Sequence, residues 1–140
     1  MDTLFILCDV YFARGSAREA EYFAQQAHDF AESLNALAMV GRALARKGEV
    51  RLHQRLLTEG KDFIMHAAEM LPDVHNADSA DVRRLKGDYS QLCAEHTHAQ
   101  ELYTEARGML EELDKHFGTF DVRYVLWMLC DSCADLNLCD

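Results

Sequence analysis

The chain is poor in residues that interrupt helices. Among its 140 residues there is one proline, Pro72, and there are seven glycines. Proline removes a backbone donor and clashes with the preceding turn, so its scarcity leaves nearly the whole chain open to long helices. Positive charge is also short: 14 Lys and Arg face 24 Asp and Glu, a formal charge of −10. A surface of that sign repels a phosphate backbone and an anionic bilayer, which argues against nucleic acid and membrane as direct partners and favours basic protein segments. No apolar run is long enough to span a bilayer. The apolar start, Leu4 to Val10, has no basic flank and contains Asp9, unlike a secretory leader. The five cysteines, Cys8, Cys93, Cys130, Cys133 and Cys139, are odd in number. They fit a reducing cytoplasmic or nuclear setting in which thiols serve as small core residues.

What is present is helical periodicity. Leu4, Leu7, Cys8, Tyr11 and Phe12 follow i, i+3, i+4, i+7, i+8, the stripe of an amphipathic helix over 2–14 that Gly15 ends. Ser16 and Glu19 form S-x-x-E, which predicts a capping box opening a second helix with Ala20, Phe23, Ala24, Ala27, Phe30, Ala31 and Leu34 on one face. A third helix is expected over about 36–57, running through Gly41 and Gly48. Each glycine weakens it by ~1 kcal/mol relative to alanine, which is tolerable if a neighbouring helix approaches closely there. A fourth is expected over about 61–71, stopped by Pro72. A polar loop over 72–79 follows, with Asp78 or Ser79 as the next cap. Two further helices are expected over about 80–94 and 98–116, and a last one over 121–136 around Val122, Val125, Leu126, Trp127 and Leu129. No stretch alternates with period two. The expected fold is therefore all-α, one domain over 1–140, with about seven helices: hairpins 2–34, 36–71 and 80–117 and a terminal helix 121–136.

The first hairpin matches the tetratricopeptide (TPR) pattern of small and large residues, through Leu7, Cys8, Tyr11, Gly15, Ala20 and Ala27. Glu32 stands where that pattern ends in proline. Ala99, Tyr103 and Ala106 repeat the second-helix part, and the second hairpin fits poorly. The expectation is a TPR-like right-handed superhelix. The alternative is an irregular helical bundle.

The strings YFARGSAREAEYFAQQAHDFAESLNA, GRALARKGEV, DVRRLKGDYSQ and AQELYTEARGMLEELDKHF resemble the helical-repeat region of fungal separases, the large cysteine endopeptidases that cleave cohesin. The resemblance covers most of the chain but rests on helical-repeat text, and 122–140 does not align with it. It implies a non-catalytic scaffold in sister-chromatid separation, with a securin-like inhibitor or the remainder of a larger separase chain as partner. The family's catalytic histidine and cysteine belong to a protease domain with no matching motif here, so no catalytic residue carries over.

Each candidate for chemistry has a plainer reading. Cys130 and Cys133 form C-x-x-C, with Cys139 beyond and His96 or His98 as a fourth zinc ligand, which makes a small metal-binding bundle the alternative function. Zinc cysteines favour tight knuckles, though, and these lie in an apolar helical stretch, so core thiols are expected and no metal or other cofactor. Glu95 and His98 form E-x-x-H without the second pair that a di-iron bundle needs. No G-x-S-x-G, phosphate loop or H-E-x-x-H occurs. For interaction, Tyr11, Arg14, Arg42 and Arg46 are candidates for a groove on the inner helices. Arg42 and Arg46 are four apart and share a face that suits an acidic segment, or else form a solvated basic stripe. The Trp127 helix is either a buried cap or an exposed end on which further repeats stack.

Overall fold

A computed structural model describes residues 2–71 and 76–117. Among these residues the fold is all-helical, with six helices: α1 Asp2–Ala13, α2 Ala17–Ser33, α3 Leu37–His53, α4 Leu57–Met70, α5 Ala77–Leu92 and α6 His96–Phe117. The expected hairpins are α1–α2, α3–α4 and α5–α6. The expected seventh helix, with Trp127, lies outside the described residues.

Four of the five connections are the same turn. Gly15, Asn35, Arg55 and Ala94 all have positive φ. At each, the amide of that residue donates three residues back and the next amide donates five back, as in Gly15 to Phe12 and Ser16 to Tyr11. That is the Schellman motif, which satisfies the last carbonyls of the outgoing helix. Arg55 follows Gly15 by 40 residues and Ala94 follows Arg55 by 39, so the turns inside the three hairpins are evenly spaced along the chain.

Several local expectations change. The third helix ends at His53 and the fourth starts at Leu57, not at 57 and 61. The turn between them sits on Arg55, a residue type that carries no turn signal. Ser16 occupies the N-cap of α2 at ψ 72°, with no side-chain cap hydrogen bond. Its amide already closes the α1 turn, and its backbone lies outside the β region in which a serine aims at the early amides. Asn76, not Asp78 or Ser79, caps α5, its side chain accepting from the Ser79 amide at 2.8 Å.

The core is built on small residues. Ala20, Ala24, Ala27 and Ala31 of α2 are fully buried. Gly41 and Gly48 are points of close approach within an unbroken α3. A Cβ on Gly48 would lie 2.7 Å from Ile64 Cγ1 and 3.2 Å from the Gly60 carbonyl oxygen, and one on Gly41 would lie 2.9 Å from Leu71 Cγ. The same contact recurs in every hairpin at the spacing of the turns. Cys8 clusters with Ala20 and Ala24, Gly48 meets Gly60 and Ile64, and Gly87 lies against the Tyr103 ring, 2.7 Å from where its Cβ would be. Every helix packs on its chain neighbours, and the first helices of successive hairpins also touch, α1 on α3 and α3 on α5.

The glycines make this packing testable. Gly108 has nothing within 4 Å of an added Cβ, so Gly108→Ala is expected to stabilise the protein by about 0.5–1 kcal/mol through helix propensity alone. Gly48→Ala gains the same propensity but must push backbone apart, and a net loss of about 1–2 kcal/mol is expected. Urea unfolding of both variants checks the opposite signs.

Candidate functional site

The first helices of the three hairpins carry the most concentrated polar chemistry among the described residues. Arg46, on α3, is 2% exposed. Its Nε lies 2.6 Å from Asp9 Oδ1 of α1, and its Nη1 donates to Asp81 Oδ2 of α5 at 2.5 Å. Asp81, itself 6% exposed, also accepts from Arg84 at 2.9 Å. Arg84 reaches back to Glu49 of α3 and along α5 to Asp88, the latter at 3.1 Å. Asp88 in turn accepts from the Tyr103 hydroxyl of α6 at 2.5 Å. One connected ladder thus runs from Asp9 through Arg46 and Asp81 to Arg84, where it branches to Glu49 and, through Asp88, to Tyr103, linking α1, α3, α5 and α6. Arg42 extends the same face, with its guanidinium 4.4 Å over the Phe5 ring and 3.6 Å from Asp78.

Burial sets the charge states. It works against the charge on Arg46 and Arg84, but Asp81 and Asp9 around the first, and Glu49, Asp81 and Asp88 around the second, hold both well above the ordinary range. Burial pushes the Asp88 carboxyl up, against the pull of Arg84 and the Tyr103 hydrogen bond. The Tyr103 hydroxyl is raised by burial and by Asp88. Cys8, packed beneath the ladder, is pushed up to about 12 by burial, with Arg46 opposing. A thiol held that high stays protonated and makes a poor nucleophile.

A second polar cluster joins α2 to α3. Lys47 is 8% exposed, with its Nζ 2.6 Å from His28 Nδ1, and His28 Nε2 is 3.1 Å from Glu32. Burial lowers the Lys47 ammonium, with Asp29 and Glu32 opposing. One turn along, Arg51 pairs with Glu21 at 2.5 Å and with Glu59 at 3.0 Å.

The residues singled out from the sequence fall in different places. Arg42 and Arg46 do share a face and do meet acidic groups, but those groups are this chain's own Asp78, Asp9 and Asp81. Arg46 is not part of a solvated stripe, because its partners enclose it. Tyr11 is half-buried and stacks on Phe23 with ring centroids 5.4 Å apart. Arg14 is exposed at the α1–α2 turn. Glu95, His96 and His98 are exposed, and His98 lies 3.8 Å from Glu101. Trp127, Cys130, Cys133 and Cys139 lie outside the described residues. Among the described residues no group of three or more His, Cys, Asp or Glu side chains is placed to share a metal ion, and no helix is long and apolar enough to cross a membrane.

Sequence reasoning missed Asp9, Glu49, Asp81, Arg84 and Asp88 as a set. One signal existed: Asp9–Arg46 spans 37 residues, and Arg46–Asp81 and Glu49–Arg84 span 35 each. A charge search at about one hairpin spacing finds all three pairs. No family model, curated protein or solved structure matches the chain.

Two outcomes are expected of the ladder. Arg46→Met removes one of the two arginines on the buried Asp81, Arg84 remaining, and is expected to cost less than the ~3–5 kcal/mol of a fully stranded charge, while adding Asp81→Leu recovers part of that loss because Arg84 keeps Glu49 and Asp88. Chemical denaturation of the single and double variants measures both. For Asp88, a carboxyl raised on folding binds its proton more tightly in the native state. Its contribution to stability is therefore full at low pH and falls as pH rises from about 4 through the raised value. Asp88→Asn keeps an acceptor for Tyr103 and removes that titration. The stability of the parent relative to this variant should decline as pH rises through that window, read from melting curves taken between pH 3 and 8.

Proposed function

We propose that the chain is a non-catalytic protein-interaction scaffold, a TPR-like stack of helical hairpins wound as a right-handed superhelix. The observation that carries this reading is the repeated small-residue contact at Cys8, Gly48 and Gly87, each against the second helix of its own hairpin. Once the hairpins are aligned on that contact, the second one carries Gly48, Gly60, Ala67 and Pro72 at the places filled by Cys8, Ala20, Ala27 and Glu32 in the first. It therefore fits the TPR pattern better than its sequence suggests when read in isolation. The period of 40 and 39 residues between turns is longer than the roughly 34 of ordinary TPR units and closer to the ~40–47 of other α-solenoids. Contacts confined to neighbouring hairpins are also the habit of such stacks.

The partner proposed is another protein. The resemblance to the separase helical region makes a securin-like inhibitor, or the remainder of a larger separase chain, the partner to try first, in the cytoplasm or nucleus. The formal charge of −10 suits a basic segment. A generic TPR-like adaptor unrelated to separase is the second reading, supported by the recurring small-residue contact, which by itself names no partner. Anisotropy titrations of the chain with a labelled securin-type inhibitor and with a separase protease fragment separate the two. Saturable binding to either, weakened at least tenfold by Tyr11→Ala, is expected. Absence of binding to both removes separase and leaves the adaptor reading.

A further inference from the structure

The even spacing of the hairpins allows α1 to be compared with α3 position by position, at an offset of 40. Ala43, Lys47 and Val50 of α3 are 0%, 8% and 1% exposed. They are covered by α2. Val50 clusters with Ala20 and Ala24, Ala43 clusters with Ala27, and Lys47 meets His28. The next junction repeats the arrangement, with Val82 of α5 clustered with Ala67 and Leu71 and Lys61 of α4 lying 5.6 Å over the Tyr89 ring of α5.

The equivalents on α1 are Thr3, Leu7 and Val10. Thr3 is exposed, Leu7 half-buried, and Val10 42% exposed, with Ile6 beside it at 61%. At 100° per residue, Thr3, Leu7 and Val10 share one face of α1. α1 also lacks basic residues and is apolar nearly all round, which is the pattern of a helix with neighbours on every side. The opposite end of the described stack differs: the outward face of α6 exposes Glu101, Thr104, Glu105, Glu111 and Glu112.

We infer that the Thr3–Leu7–Val10 face of α1 is an incomplete repeat junction that receives the second helix of a helical hairpin from outside this chain. The two junctions within the chain define the chemistry of the occupant. Like α2, it presents alanine-sized residues to Val10 and Thr3. Because Leu7 replaces Lys47 and Tyr11 replaces Arg51, it presents apolar residues where α2 presents His28 and Glu21. A second copy of this chain is a poor occupant, since the α2 alanines are fully buried and the α6 face is acidic.

This inference rests on the repeat reading above, but its test involves no binding partner, so it fails separately from the choice of separase or adaptor. Residues 2–41, one period and carrying Glu21→Leu and His28→Leu, are duplicated between Met1 and Asp2, so that the second copy of α1 continues from a Leu37–Gly41 segment as α3 does. The duplicated chain is expected to melt as one unit at least ~5 °C higher, and Val10→Asp in the second copy is expected to abolish the gain. The same substitution in the unduplicated chain should shift its melting temperature by less than ~2 °C and leave it monomeric in sedimentation. Three results would overturn the inference: a duplicated hairpin that melts separately, an unduplicated chain that loses its fold on Val10→Asp because the face is already covered, or a dimer of the unduplicated chain that Val10→Asp dissociates.

Discussion

The structure depends on how closely two helices come together inside each hairpin. At Gly48 and Gly87 there is no room for a Cβ, and at Cys8 the space is filled by a thiol 1% exposed. Close approach brings the backbone of the first helix onto the second and sets where the rest of each face points. The alanine stripe of α2 follows from the same constraint, because only a small residue lets α2 lie against α1 and α3 at once. Such a core buries little area per side chain, so its strength comes from dense contact, and it is intolerant of one added methyl group.

Turn chemistry and period explain which parts of the fold were legible in the sequence. Gly15 announces its turn because glycine adopts positive φ without cost. Asn35, Arg55 and Ala94 adopt it too, and two of those types give no warning, so the third and fourth helices were misjoined around residue 55. Helix type and pairing were readable because apolar periodicity persists over 12 to 22 residues per helix. Gly48 was legible as a point of close approach, but the second hairpin still looked irregular because its partner glycine, Gly60, fell between the expected third and fourth helices.

The polar site was less legible for a related reason. A buried arginine is unusual unless paired, and its partners lie on other hairpins, far along the chain. Arg42 and Arg46 share a face by spacing alone, but spacing does not say whether that face meets solvent, a ligand or the next hairpin. The answer depends on Asp9, Asp78 and Asp81, which are placed by the turns and by the close contacts. Local pattern therefore gave the right helix face and the wrong surroundings.

The ladder and the alanine junctions complement each other. An alanine stripe at i and i+4 offers nearly the same surface one turn further along, so packing alone resists a slip of about 5.4 Å only weakly. The ion pairs do not tolerate it. Moving α5 one turn along α3 would part Asp81, 6% exposed, from Arg46, 2% exposed, and Arg84 from Glu49; Asp81 keeps Arg84 of its own helix, but each broken buried pair costs up to several kcal/mol. Buried ion pairs are weak sources of net stability, because desolvation offsets most of their attraction. Their value here lies in register. The small residues let the hairpins approach, and the charges admit a single offset between them, which then aligns every exposed position on the first helices from one hairpin to the next.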